Sequence, residues 1–96
     1  MTRRFMLMVD DATPPEQDAV TKYLQTLSYG FWHYFSDGWL IVDRSSTLTA
    51  PMLRDKLKQL VPGKTTLVVP MNNPAEWAGF GTTENFQWLH DVWNAP

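Results

Sequence analysis

Chemistry in this chain has to come from carboxylates, imidazoles, hydroxyls or aromatic faces, because its 96 residues include no cysteine. That removes thiolate nucleophiles, thiolate metal ligands and redox disulfides together. The carboxylate candidates are Asp10 and Asp11, which follow the apolar run Phe5 to Val9. A Mg²⁺ ion takes one or two carboxylates from a protein and fills its remaining positions with water and phosphate oxygen. Asp10 is therefore a candidate catalytic residue and metal ligand. The competing account is structural: Asp11 precedes a helix, whose N-terminus favours negative charge without any reaction. Successive strand residues also point to opposite faces, so the pair does not make one joint site. His33, between Trp32 and Tyr34, can act as a general base or a phosphate contact, or simply as a ring packed among neighbours. Nothing in the sequence pairs it with a nucleophile. His90 beside Asp91 reads as a solvated helix residue, and neither histidine has metal-ligand spacing. Ser36, Ser45 and Ser46 lack the glycine context of a nucleophile elbow.

Binding surfaces are the next possibility. Eight basic residues stand against ten acidic ones, a formal charge of −2. Arg3, Arg4 and Arg44 flank strand-like runs, and Arg54, Lys56 and Lys58 decorate a helix. A duplex binder neutralises several phosphates with a basic stripe, and Asp43 and Asp55 interrupt any such stripe here. The charge balance therefore argues against nonspecific duplex binding more than against a single strand or a nucleotide, whose bases stack on aromatic rings with little help from charge. Five tryptophans supply such rings. Trp32, Tyr34 and Trp39, with Arg44 nearby, are the candidate binding residues, either as a base-stacking platform or as anchors of an interface between protein chains. Trp77, Phe80, Trp88 and Trp93 read as packing for the end of the chain. No apolar run is long enough to span a bilayer or serve as a signal-peptide core, which fits a cytoplasmic protein without a membrane partner.

The elements that must position these groups follow from spacing. Residues 3–9 read as a strand buried on both faces. Thr13, Pro14 and Glu16 form a capping-box start for a helix whose apolar stripe is Val20, Tyr23, Leu24 and Leu27, with Gly30 closing it. Residues 31–36 and 39–43 are strands joined by Asp37-Gly38, a pair suited to the positive φ angles of a tight hairpin. Thr49 opens a second helix carrying Leu53, Leu57, Leu60 and Val61, and Pro62-Gly63 stops it. Thr65 to Val69 is a fourth strand that Pro70 keeps from a central position. Asn72-Asn73-Pro74 and Gly79-Phe80-Gly81 are loop-forming. Thr82 or Thr83 caps a final helix bearing Phe86, Leu89, Val92 and Trp93. The expected fold is α+β, a ferredoxin-like βαββαβ core over residues 1–70. A C-terminal loop and helix over 71–96 belong to the same domain. The sheet face away from the two crossover helices then needs a cover: the last helix, a second protomer or a ligand.

Four stretches carry a resemblance to a known family. They are the first strand ending Val9-Asp10; the hairpin Phe31-Trp32-His33 with Trp39-Leu40-Ile41-Val42; Leu48-Thr49 followed by Leu53-Arg54-Asp55-Lys56-Leu57; and Trp77-Ala78-Gly79-Phe80 with Trp88-Leu89. Together they resemble small SinR-family proteins, which are themselves similar to the small CRISPR adaptation protein that accompanies the spacer integrase. The likeness covers most of the chain and is loosest at residues 70–75. It implies a ferredoxin-like protomer, a homodimer and nucleic acid as the ligand class. It also implies divalent-metal nuclease chemistry at the aspartate ending the first strand, a position matched by Asp10, with Mg²⁺ held across the dimer axis. The residues themselves show no complete catalytic set. They favour a non-catalytic module that binds nucleic acid, a nucleotide or a protein partner and requires no cofactor, over a weak Mg²⁺-dependent nuclease.

Overall fold

A computed structural model describes residues 2–27, 30–71, 77–79 and 81–93. The chain runs β1 (Arg3–Val9), α1 (Pro14–Thr26), β2 (Gly30–Phe35), β3 (Gly38–Asp43), α2 (Ala50–Leu60), β4 (Thr66–Pro70) and α3 (Thr83–Trp88). α3 widens into a π-helical turn over Leu89–Trp93. The four strands form one antiparallel sheet in the order β2-β3-β1-β4. β1 and β3 are central, and each helix-containing connection skips one strand, so β2 runs parallel to β1 and β4 parallel to β3. The result is an α+β domain. No helix among the described residues is long and apolar enough to cross a membrane.

Strand alternation divides the core in two. Phe5, Leu7 and Val9 of β1 and Trp39 and Ile41 of β3 face α1 and α2, where they meet Val20, Leu24, Leu53 and Leu57. Residues of the opposite parity face the other side. There Trp32 and Val42 are buried against Leu89 and Trp93 of the C-terminal helix. Arg4 lies on this second face, and its Nε donates to the carbonyl of Trp93 at 2.7 Å. A guanidinium at the carbonyl end of a helix satisfies an orphan acceptor and complements the dipole. β1 is thus buried on both faces near Arg4, but its second face opens toward Met8, which is 38% exposed.

Local signals explain most boundaries. Thr13 caps α1 by accepting from the Glu16 amide, and Glu16 returns the bond to the Thr13 N–H at 2.9 Å. The Thr13 amide, with smaller help from the Thr13 hydroxyl and Lys64, holds the Glu16 carboxyl below its ordinary pKa. Thr49 caps α2, and Gly63 ends that segment with φ +84°, a conformation glycine adopts without cost from a Cβ. β4 is an edge strand, which accommodates Pro70 as its last residue.

Two expectations are corrected. Gly30 does not close α1, which ends at Thr26 with Leu27 as its cap; Gly30 instead opens β2. A Cβ there would stand 3.1 Å from Val92 and 3.3 Å from Trp88, so glycine serves the approach of the last helix. The hairpin turn is Ser36-Asp37, and neither Asp37 nor Gly38 has positive φ. The Asp37 carbonyl accepts from the Val9 amide at 2.9 Å and its carboxylate from the Ala12 amide at 3.0 Å. Gly38 pairs with Met8 inside the sheet. These bonds fix the turn one residue early, and a register irregularity between Trp32 and Phe35 absorbs the difference. The loop Asn72-Asn73-Pro74 and Phe80 lie outside the described residues.

Asp43, at the end of β3, is fully buried. Its carboxylate accepts from the Ser45 amide at 3.0 Å, the Ser45 hydroxyl at 2.6 Å and the Leu48 amide at 2.8 Å. Burial pushes its pKa up, but these bonds and one from the Thr47 amide outweigh that and leave it below the ordinary carboxylate value. A lowered folded-state pKa gives stability that is complete above the unfolded value of about 4. That stability is lost as pH falls through the depressed value. Asp43→Ala strands buried donors and is expected to cost about 2–3 kcal/mol in urea unfolding at neutral pH. Asp43→Asn should flatten the acid limb of the stability profile; an unchanged limb would show that Asp43 does not couple to folding.

Candidate ligand cleft

The C-terminal helix covers only part of the second sheet face, and a half-open cleft of about 270 Å³ remains beside it. Alternation along β1 puts Met6 and Met8 in its floor, and β3 adds Leu40. Thr82 caps α3 by accepting from the Asn85 amide, and the turn that follows sets Phe86, Leu89 and Trp93 on the side facing the sheet. The described residues lining the cleft carry no charged side chain.

Three rings build one wall. Trp32 and Phe86 are stacked with centroids 6.4 Å apart and planes 20° from parallel. Trp77 and Phe86 are 5.7 Å apart at 28°. Trp32 is anchored by its indole N–H, which donates to the Asn85 carbonyl, so its polar edge is satisfied and its apolar body faces the cleft. Phe35, 63% exposed, meets Trp32 edge-on at 5.0 Å and stands at the mouth. A near-parallel ring wall, a thioether floor and an uncharged described lining make this an apolar cleft.

The sequence-derived candidates separate in space. Trp32 belongs to the cleft, and Tyr34 is exposed beside it, 5.5 Å from the Trp32 ring. Trp39 also borders the cleft, but it is only 1% exposed and its ring packs toward the helices, with its indole N–H donating to Thr21 Oγ1 at 3.2 Å. It cannot share a stacking platform with Trp32, because the two occupy opposite sides of the sheet. His33 goes with Trp39: the rings stack at 4.2 Å, 4° from parallel, and His33 Nδ1 bonds the Gly38 carbonyl at 2.9 Å. Both contacts are packing contacts of the sheet. Arg44 is exposed after β3, outside the cleft lining. His90 is exposed and sits edge-on to Trp77 at 5.0 Å.

Asp10 is exposed at the end of β1, and with Asp37, Thr65 and Thr66 it lines a second, smaller pocket of about 150 Å³. Two carboxylates suit Mg²⁺ when phosphate and water complete the shell, though Asp37 already accepts from Ala12. Among the described residues no three acidic, histidine or cysteine side chains cluster as a metal group. Asp11 takes a left-handed backbone with φ 52°, and its carbonyl accepts from Lys64 Nζ at 2.8 Å, a structural role.

Residues missed from the sequence are Met6, Met8, Met71 and Phe86. For Met6 and Met8 the signal was present in the alternation of β1, whose even positions needed a partner of their own. No protein-family profile, curated protein or solved structure matches the chain. Fold and cleft therefore define a class only: an α+β domain with an aromatic-walled apolar slot on its sheet.

A Cβ on Gly79 would stand 2.7 Å from the Phe86 ring, closer than any real contact allows. Gly79→Ala is expected to displace Phe86 and destabilise the fold by about 1–2 kcal/mol. The tryptophan emission should shift to the red as the wall opens. Wild-type emission and stability would show that Phe86 is not held by this contact.

Proposed function

We propose that the protein is a small non-catalytic binding module of ferredoxin-like architecture, which acts as a homodimer and takes a nucleobase in the second-face cleft. The strand order and the two skipped-strand crossovers support the architecture. The resemblance to SinR-family proteins and to the CRISPR adaptation protein supports the homodimer and the nucleic-acid ligand class. The observation that carries the ligand reading is the stacked wall of Trp32, Phe86 and Trp77. Such a wall recognises the flat face of a base, and the uncharged lining leaves the phosphates in solvent.

Adenosine, its monophosphate and a short single strand should each quench tryptophan emission saturably, with weak dependence on salt because few phosphates are neutralised. Phe86→Ala should weaken all three by roughly tenfold or more, the worth of one stacking contact of about 1–3 kcal/mol. Flat titrations reject the nucleobase, and a monomer in light scattering rejects the homodimer.

One observation favours a second reading, a weak Mg²⁺-dependent nuclease: Asp10 shares its pocket with a second carboxylate, Asp37. That reading expects cleavage of labelled RNA or DNA with Mg²⁺ or Mn²⁺, abolished in a folded Asp10→Ala variant. Substrate left intact by the wild-type protein under both metals removes it.

A further inference from the structure

We propose that the Met8 thioether is a peroxide-sensitive modification site that controls the cleft. The inference rests on the cleft as the working surface but not on which ring occupies it. With no cysteine in the chain, the oxidisable sulfur is all methionine. Met6, Met8 and Met71 line the one cleft. Met8 differs from the other two in three ways. It is the exposed one, at 38%, while Met6 and Met71 are half-buried. It pairs in register with Gly38 on one side and with Leu67, itself exposed, on the other. It also lines both the apolar cleft and the small pocket that holds Asp10 and Asp37.

The Met8 Sδ lies against Gly38, 3.4 Å from the point a Cβ on residue 38 would occupy, so the bare glycine gives the thioether room to lie on the sheet. The backbone around Met8 is held by pairing to both neighbours and by the full burial of Leu7 and Val9. Oxidation there changes the surface without requiring the strand to move.

The step is a two-electron oxygen transfer. A sulfur lone pair attacks one oxygen of hydrogen peroxide, the S–O bond forms as the O–O bond breaks, and the other oxygen leaves as water after proton transfer. The thioether is oxidised to the sulfoxide and the peroxide is reduced. The product puts a strong, polar acceptor in the floor of a slot whose described lining offers no charged partner. Apolar and aromatic occupants then lose their contact with the floor.

The test uses the full chain carrying Met52→Leu, because Met52 on α2 is also exposed, at 52%, and lies outside the cleft. Brief hydrogen peroxide treatment should place the first oxygen on Met8 by peptide mass mapping. Tryptophan emission should shift to the red, and adenosine affinity should fall about tenfold, the cost of one poorly partnered polar group. Methionine sulfoxide reductase should reverse both. In Met52→Leu/Met8→Leu the ratio of treated to untreated affinity should stay near one, whatever its starting affinity. Oxygen on Met8 with unchanged emission overturns the proposal, as does a Met8 that stays reduced at a dose that oxidises Met52 in the wild type. If emission responds while adenosine never binds, the nucleobase reading fails and the Met8 site stands.

Discussion

A four-stranded sheet has two apolar faces, and two crossover helices can cover only one. That constraint organises this molecule. α1 and α2 bury Phe5, Leu7, Trp39 and Ile41, which leaves Arg4, Met6, Met8, Trp32, Leu40 and Val42 on the other side. The C-terminal helix answers the demand in part, by packing Leu89 and Trp93 onto Trp32 and Val42. Burial of each such side chain stabilises by about 1.5–3 kcal/mol, and the Arg4 bond to the Trp93 carbonyl ties the last described turn of the helix to β1. The cleft is the remainder of that face.

The same division decides what the hairpin can do. Trp32 and Trp39 flank one turn, yet alternation and the irregular register send them to opposite faces. Trp39 joins His33 in a closed stack against the helices, where the imidazole is bonded to Gly38 and the indole to Thr21. Both polar edges are satisfied, which is the condition for burying such rings at low cost. Trp32 is equally buried but forms a wall of open space. Adjacent aromatic residues of similar exposure thus divide between holding the fold and shaping a surface.

The sequence revealed the elements well because their signals are local: Thr13 with Glu16, Thr49, Pro62-Gly63 and strand alternation each act within a few residues. Its failures were contests between local preference and a distant bond. Asp37-Gly38 favours a positive-φ turn on its own, but the Val9 and Ala12 amides claim Asp37. Gly30 suits a helix end, but Trp88 and Val92 need its bare Cα. The cleft was legible in part. Trp32 follows from composition and position and Tyr34 stands beside the lining, whereas Phe86 and Trp77 join Trp32 only through the fold of a segment dozens of residues away. Arg44 lies outside the cleft lining, and a charge beside a strand says little about the side on which a ligand will sit.

The formal charge of −2 bears on the ligand more narrowly than on the class. It opposes a protein that grips a phosphate backbone, since that grip scales with the number of cations engaged. It does not bear on stacking, which needs polarisable area and exclusion of water more than charge. The described lining of the cleft is aromatic and apolar and holds no cation. The surplus of tryptophan and the shortage of positive charge therefore meet in one place, a cleft built for apolar contact.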